Sequence, residues 1–326
     1  MILLHALLFG GAFVDAFIQN VAADFGLKCQ KISRERFGYL CTTSNGMVLI
    51  QKIPKPQLEN ILFAHQVKLF LLEKDFGTID ANFTSIHTNE PYTQAGGDIF
   101  TATVAHCAKN ADFSDYETFL SVIGRLATFH NLLKNIQFDH SPKKTDKLDS
   151  PDTTITYIQG QKRKIMKSGK FSDFDMLFLS AYEEFEKHIL QTGFFSYKNG
   201  HNNYICHNLL KEENTYIADQ PTFVNFARAS YGHFSDDLMY IIKRHLKVDP
   251  TSTLPLAAIL EAYNKNHDIS NYCTETFAQL LQFPDKFVKL SKDYYIKKRS
   301  FAPKAYITRM QDCIQRGTII QNWLKL

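Results

Sequence analysis

The chain has 326 residues, 44% of them apolar, enough to bury a substantial core and long for one simple domain but natural for one built of two lobes. Lys and Arg number 37 against 33 Asp and Glu, and this net charge of +4 is dispersed, which argues against a nucleic-acid surface. The six cysteines (Cys29, Cys41, Cys107, Cys206, Cys273, Cys313) contain no C-x-x-C pair, so they provide neither a zinc knuckle nor a disulfide framework and read as reduced, mostly buried thiols.

Residues 1–14 are apolar, yet no Lys or Arg precedes the run and no small-x-small cleavage site follows it. Asp15 ends it short of the roughly 20 residues that a bilayer span needs. A buried helix to about residue 23 is the expectation, a targeting segment the alternative, and no transmembrane segment is expected. Strands are expected over 27–32, 37–43 and 47–53, the last two joined across Ser44-Asn45-Gly46, because Asn-Gly accepts the positive φ of a type I′ turn. Pro54 and Pro56 stop the third strand, and apolar residues at helical spacing over 57–74 predict a helix crossing the sheet. Two more strands are expected over 83–88 and 98–105, separated by Asn89-Glu90-Pro91 and Gly96-Gly97. Residues 1–107 thus read as a five-stranded antiparallel lobe with one crossing helix.

Residues 108–326 read as a larger, mainly helical lobe. It opens on a capping-box sequence, Ser114-Asp115-Tyr116-Glu117, ahead of a long helix. Residues 136–155, rich in Lys, Asp, Ser and Pro, read as an exposed loop, and the basic run over 161–170 as a solvated helix face. Further helices are expected at 173–191, 234–246, 254–264, 274–281, 283–297 and 304–324.

Between the helical blocks lies Tyr204-Ile205-Cys206-His207-Asn208-Leu209-Leu210-Lys211-Glu212-Glu213-Asn214, followed by a hairpin that turns at Asp219-Gln220-Pro221 and ends in Asn225-Phe226. This stretch, about 204–228, resembles the catalytic segment of kinase-like phosphotransferases, the superfamily of aminoglycoside and choline kinases. Its pattern there is His-Gly-Asp, four residues, Asn, and a hairpin ending in Asp-Phe or Asp-Trp. The resemblance implies an α+β, protein-kinase-like bilobal fold. It also implies roles: the loop Asp takes or orients the proton of the substrate hydroxyl, while the Asn and the hairpin Asp hold Mg²⁺ against nucleotide phosphates.

Position by position, His207 and Asn214 agree with the pattern, but the Gly falls on Asn208, the catalytic Asp on Leu209 and the metal-binding Asp on Asn225. Leu cannot accept a proton, and neutral Asn225 is a poorer Mg²⁺ ligand than a carboxylate, since that hard ion favours charged oxygen. Ala227 supplies no compensating acid. His207, Leu209 and Asn214 are therefore degenerate catalytic-loop positions, Asn214 and Asn225 a vestigial metal site. Ser33-Arg34-Glu35-Arg36-Phe37-Gly38 has one glycine and would cradle phosphate poorly. Gln51, on the stricter alignment, or Lys52 stands at the phosphate-pairing lysine, with Glu59 or Glu73 as the helix partner. ATP and Mg²⁺ would bind only if nucleotide binding persists.

Phe226-Ala227-Arg228-Ala229-Ser230-Tyr231-Gly232-His233, the pair Asp237-Leu238, and the run from Phe283-Pro284-Asp285-Lys286-Phe287 to Tyr294-Tyr295-Ile296-Lys297-Lys298-Arg299-Ser300-Phe301-Ala302-Pro303-Lys304 are similar to the CotS-type spore coat family. That likeness implies synthesis in the cytoplasm of a sporulating mother cell, association with the endospore coat, and spore coat proteins as partners. It also makes Asp237 the buried aspartate that braces the catalytic loop; a helix-start residue favoured by the dipole is the plainer reading. Phe283, Phe287, Leu290 and Tyr294 share a helix face and read as core contacts, with the basic residues around Lys297 left open. The sequence thus leads to a coat-assembly scaffold of pseudokinase type that does not catalyse. The alternative is an ATP-dependent phosphotransferase acting on a small molecule or coat protein in the interlobe cleft, which requires that Asp219, Asp236 or another acid substitute for Leu209.

Overall fold

The computed structural model describes residues 14–36, 38–44, 46–77, 80–105, 108–142, 151–193, 203–297 and 303–325. Expectations resting on residues 1–13, Cys107 and 298–302 fall outside these. In chain order, a helix over 14–23 (α1) precedes strands β1 (Lys31–Glu35), β2 (Gly38–Thr43) and β3 (Gly46–Ile53), helix α2 (Leu58–Glu73), and strands β4 (Thr93–Ala95), β5 (Asp98–Val104) and β6 (Lys109–Asn110). Helices α3 (Tyr116–Leu132), α4 (Pro151–Ser168) and α5 (Asp173–Gly193) follow, then strands β7 (Tyr204–Cys206), β8 (Thr215–Ile217) and β9 (Pro221–Phe223). The remainder is helical: α6 (Phe234–Val248), α7 (Leu256–Asn264), α8 (Thr274–Gln282), α9 (Asp285–Tyr295) and α10 (Pro303–Trp323).

The chain divides into two compact units, one of Met1–Ala111, Asn135–Lys143 and His207–Tyr231, the other of Asp112–Lys134, Lys144–Cys206 and Gly232–Leu326. In the first, β1 to β5 form an antiparallel sheet in the order β1-β2-β3-β5-β4. Period-two alternation puts Val48 and Ile50 on one face with Cys41, Phe100 and Ala102, and the buried Ile18, Val21, Ala22 and Phe25 pack on them. Helix α2 is apolar on all sides and buries Phe63 edge-on against Tyr231 and Phe138, at 5.2 and 5.9 Å between centroids. β8 and β9 form the expected hairpin, Thr215 opposite Phe223, with β6 added at its edge.

The expected strand over 83–88 does not form. Ser85 and Ile86 turn away from the sheet, Ser85 N donating to Glu90 O (2.8 Å) and Ile86 N to Asp24 O (2.8 Å), while Asn89 takes φ 60°. β4 lies later, at Thr93–Ala95, so the sheet still has five strands.

In the second unit, α5 presents Phe178 and Phe185 to Phe287 of α9, at 5.0 and 4.6 Å, and Phe174 stacks on Tyr294 at 4.0 Å. The aromatic face of α9 is thus a core contact, each fully buried ring contributing roughly 2–3 kcal/mol of apolar transfer free energy. Residues 151–155 are helical rather than loop, since Pro151 opens α4 with Asp152 in its first turn and Thr154 and Ile158 are fully buried. Lys162 of this helix lies 4.1 Å over the Tyr182 ring. The cap of α3 is Asp115, whose carboxylate accepts from Thr118 N at 3.0 Å. No disulfide forms among the described cysteines, and no described helix is long and apolar enough to cross a membrane.

Candidate functional site

The first unit holds the whole degenerate segment. His207 is fully buried, donates from Nε2 to the carbonyl of Val224 at 2.9 Å, and stands edge-on to Phe226 at 4.7 Å. It therefore ties the loop to the strand leaving the hairpin. Asn208 follows at φ 60°, a left-handed conformation that Gly adopts freely and Asn tolerates among the other residues. Its Nδ2 donates to Arg228 O (3.1 Å) and Ser230 Oγ (3.0 Å), holding the conformation that Gly would reach without help. Leu209 is half-buried and offers only its carbonyl, which accepts from Asn214 Nδ2 at 2.9 Å.

That bond fixes Asn214, 5% exposed, with Oδ1 turned toward Asn225, whose Nδ2 donates to it at 3.4 Å. The backbone agrees, since Val224 N donates to Asn214 O at 3.1 Å. Asn214 and Asn225 are thus neighbours, but as two amides partnering each other. Asn225 is also left-handed, φ 65° and ψ 61°, which points its N–H at a group the sequence had not singled out: Asp80, whose Oδ2 accepts at 3.0 Å.

Asp80 is balanced by Lys68 of α2. The Lys68 ammonium lies 3.1 Å from Asp80 Oδ2 and donates to Asp80 O at 2.6 Å and Asn82 Oδ1 at 2.9 Å, so its three hydrogens are engaged. Both side chains are withdrawn from water, 6% and 14% exposed. The signal was present in the sequence: Lys68 falls on the same helical stripe as Ile61, Ala64 and Leu71, and a lysine on a buried face needs an acid.

Lys52 pairs with Asp98 at 2.6 Å, both well exposed, rather than with Glu59 or Glu73. Gln51 is half-buried beside Gly38, where an added Cβ would stand 2.3 Å from Ile50 O and 3.1 Å from Gln51 Cγ. Asp219 is exposed at the hairpin turn, and in the second unit Asp236 caps α6 by accepting from His233 N at 3.4 Å. Asp237, in the first turn of α6, is fully buried with Oδ2 3.2 Å from His130 Nε2, a partner that sequence reading missed.

The donor set does not fit Mg²⁺. That ion wants near-octahedral oxygens and at least one carboxylate with charge to spare. Here Asn214 gives its Nδ2 to Leu209 O and turns its Oδ1 to Asn225 Nδ2, and a dication on Asp80 would sit beside the Lys68 ammonium. Asp80 Oδ1 is buried without a hydrogen bond, so the pairing with Lys68 leaves one carboxylate oxygen unengaged.

No family model matches the chain, and no curated protein matches it. Solved structures do. An aminoglycoside phosphotransferase from Alicyclobacillus acidocaldarius aligns with a TM-score of 0.72 at 17% identity, covering 94% of each chain. A spectinomycin phosphotransferase solved with ADP and spectinomycin aligns at 0.63 and 10% identity, over 96% of this chain and 98% of that one. A phosphotransferase solved with GDP and kanamycin aligns at 0.61 and 10%, over 94% and 98%. The chain therefore has the kinase-like bilobal fold of the aminoglycoside phosphotransferases: a five-stranded antiparallel N-lobe and a mainly helical C-lobe.

Proposed function

We propose that this chain is a kinase-like protein that does not transfer phosphate, a pseudokinase serving as a scaffold in assembly of the bacterial spore coat. One observation carries the non-catalytic half: Leu209 replaces the proton acceptor, while Asn214 gives its Nδ2 to Leu209 O and its Oδ1 to neutral Asn225, beside an acid paired with Lys68. Phosphoryl transfer rests on positioning and charge stabilisation at the phosphates, and this arrangement offers neither a proton acceptor nor a site for the metal. The coat half rests on the likeness of 226–233 and 283–304 to CotS-type proteins, with coat proteins as partners and the mother-cell cytoplasm, then the coat, as location.

Incubation with γ-labelled ATP and Mg²⁺ or Mn²⁺ should leave the chain and candidate coat proteins unlabelled, and transfer to either would overturn the reading. A fluorescent fusion in sporulating cells should form a shell around the forespore; diffuse signal throughout would remove the coat half.

Asp80 favours a second reading, a phosphotransferase of the aminoglycoside and choline kinase type, because it brings one carboxylate to the backbone of Asn225. On that reading ATP with a divalent cation raises the melting temperature, since a ligand held only by the folded state stabilises it. The scaffold reading expects no shift with nucleotide at about 1 mM, a concentration where only dissociation constants well below it register.

A further inference from the structure

The second unit contains a pocket that the degenerate site does not use. It opens between α5, α6, α8 and the start of α9, is closed by α10, and measures about 60 Å³. Its floor is apolar: Phe185, Leu246, Leu281 and Ile320 are each less than a tenth exposed. At roughly 10–15 Å³ for each water-sized body, the space takes four to six heavy atoms. That matches the branched end of a leucine or the ring of a phenylalanine.

The rim is basic and only partly neutralised. Lys243 donates to Phe283 O at 3.0 Å and faces Asp285 at 3.5 Å, while Arg316 grips Asp312 with both Nε and a terminal nitrogen, at 3.0 and 2.8 Å. These pairs satisfy the acids near the rim. Lys247, on the last turn of α6, and Lys286, on the first turn of α9, line the same rim. Desolvation, and after it the nearby Arg316, hold the Lys286 ammonium below the usual lysine range, an effect that Asp285 and Asp312 only partly offset. The rim thus carries Lys243, Lys247, Lys286 and Arg316 against Asp285 and Asp312, and this excess of positive charge around an apolar slot calls for carboxylates on either side of an apolar anchor.

We propose that this pocket docks an acidic peptide segment of a partner protein, with a Leu or Phe side chain in the slot and flanking Asp or Glu carboxylates on Lys247 and Lys286. The site takes its energy from the anchor and its orientation from the charges, the usual division at small recognition surfaces. It does not depend on whether the degenerate segment binds nucleotide.

Fluorescence anisotropy of the full chain with a labelled Glu-Asp-Phe-Glu-Asp peptide tests it. Saturable binding is expected, weakened roughly tenfold by replacing the peptide Phe with Ala and by a similar factor in the Lys247→Glu, Lys286→Glu double variant. Both lysines lie on exposed helix turns, so the variant should keep the parent's far-ultraviolet circular dichroism and melting temperature; if it does not, the Lys286→Gln single change is read instead, with a smaller loss in the same direction. No binding up to about 1 mM peptide, binding indifferent to the Phe, or equal binding to parent and variants would each overturn the proposal. Dodecanoate displacing nothing is expected; dodecanoate binding in place of the peptide would also overturn it.

Discussion

Asp80 in the first unit and Asp237 in the second are both withdrawn from water, but different chemistry balances them. Asp80 faces the Lys68 ammonium, held 3.1 Å away and fully hydrogen-bonded. Asp237 faces His130 Nε2 at 3.2 Å, and the Nδ1 of the same buried ring lies 2.6 Å from the Tyr263 hydroxyl. Burial above all holds the Tyr263 phenol well above its usual range, so it keeps its proton. Beside it His233 and His267 resist protonation because burial lowers both, so lost charge should act on the first unit and acid on the second.

The strongest break of this comparison is Lys68→Met, which strands Asp80 and Asn82 in a buried setting. Such a cut should lower stability by about 3–5 kcal/mol, read by urea unfolding. A loss below about 1 kcal/mol, the scale of a solvated pair, would mean that the ammonium is not withdrawn from water. Adding Asp80→Leu should restore part of the loss, because the uncompensated charge goes with it.

Acid acts next, and on the second unit. Burial first, then the neighbouring His130, lower both His233 and His267 to about 4; His267 is lowered further by Lys134 and raised by Asp268. Between the ordinary 6.5 and about 4 the unfolded chain binds protons that the folded chain refuses. Stability is therefore complete above pH 6.5 and falls progressively as the pH drops through that window. His267→Gln, which can still meet the Tyr204 hydroxyl now 3.0 Å from Nε2, should flatten the slope of stability against pH. An unchanged slope would show that His267 is not the group refusing the proton.

Smaller effects belong to the strands near the supposed phosphate cradle. Gly38→Ala forces a Cβ to within 2.3 Å of Ile50 O and should cost about 1–3 kcal/mol in thermal or urea unfolding. Lys52→Ala removes a pair that is 59% and 43% exposed and should change stability by less than about 1 kcal/mol. If Lys52→Ala instead abolished a nucleotide-induced thermal shift, Lys52 would be a phosphate ligand rather than a solvated strand-end residue.

Local signals made the fold legible. Paired prolines stopping β3, an apolar run for α2 and the turn residues between β8 and β9 act over a few residues, and the elements form where those residues stand. The strand expected over 83–88 failed because two backbone donors found partners at Glu90 and Asp24, a tertiary contact that propensity cannot see. Residues 151–155 were misread because polar composition outweighed Pro151, a helix-start signal in its own right.

The site was legible in register but not in partners. Spacing from His207 to Asn225 is enough to bring Asn214 and Asn225 to 3.4 Å. Asp80 lies 145 positions from Asn225 in a turn with no motif, and only the folded backbone brings them together. Lys68 was the available clue, a charge on a buried helical stripe that required an acid somewhere.

Titration of the full chain with Mn²⁺, followed by loss of the free-ion paramagnetic resonance signal, tests most directly whether internal pairing has replaced the metal. The account predicts no saturable site tighter than about 1 mM in the parent and a measurable gain in Asn225→Asp, where a carboxylate rejoins Asn214. A micromolar site in the parent that disappears in Asp80→Asn would contradict it.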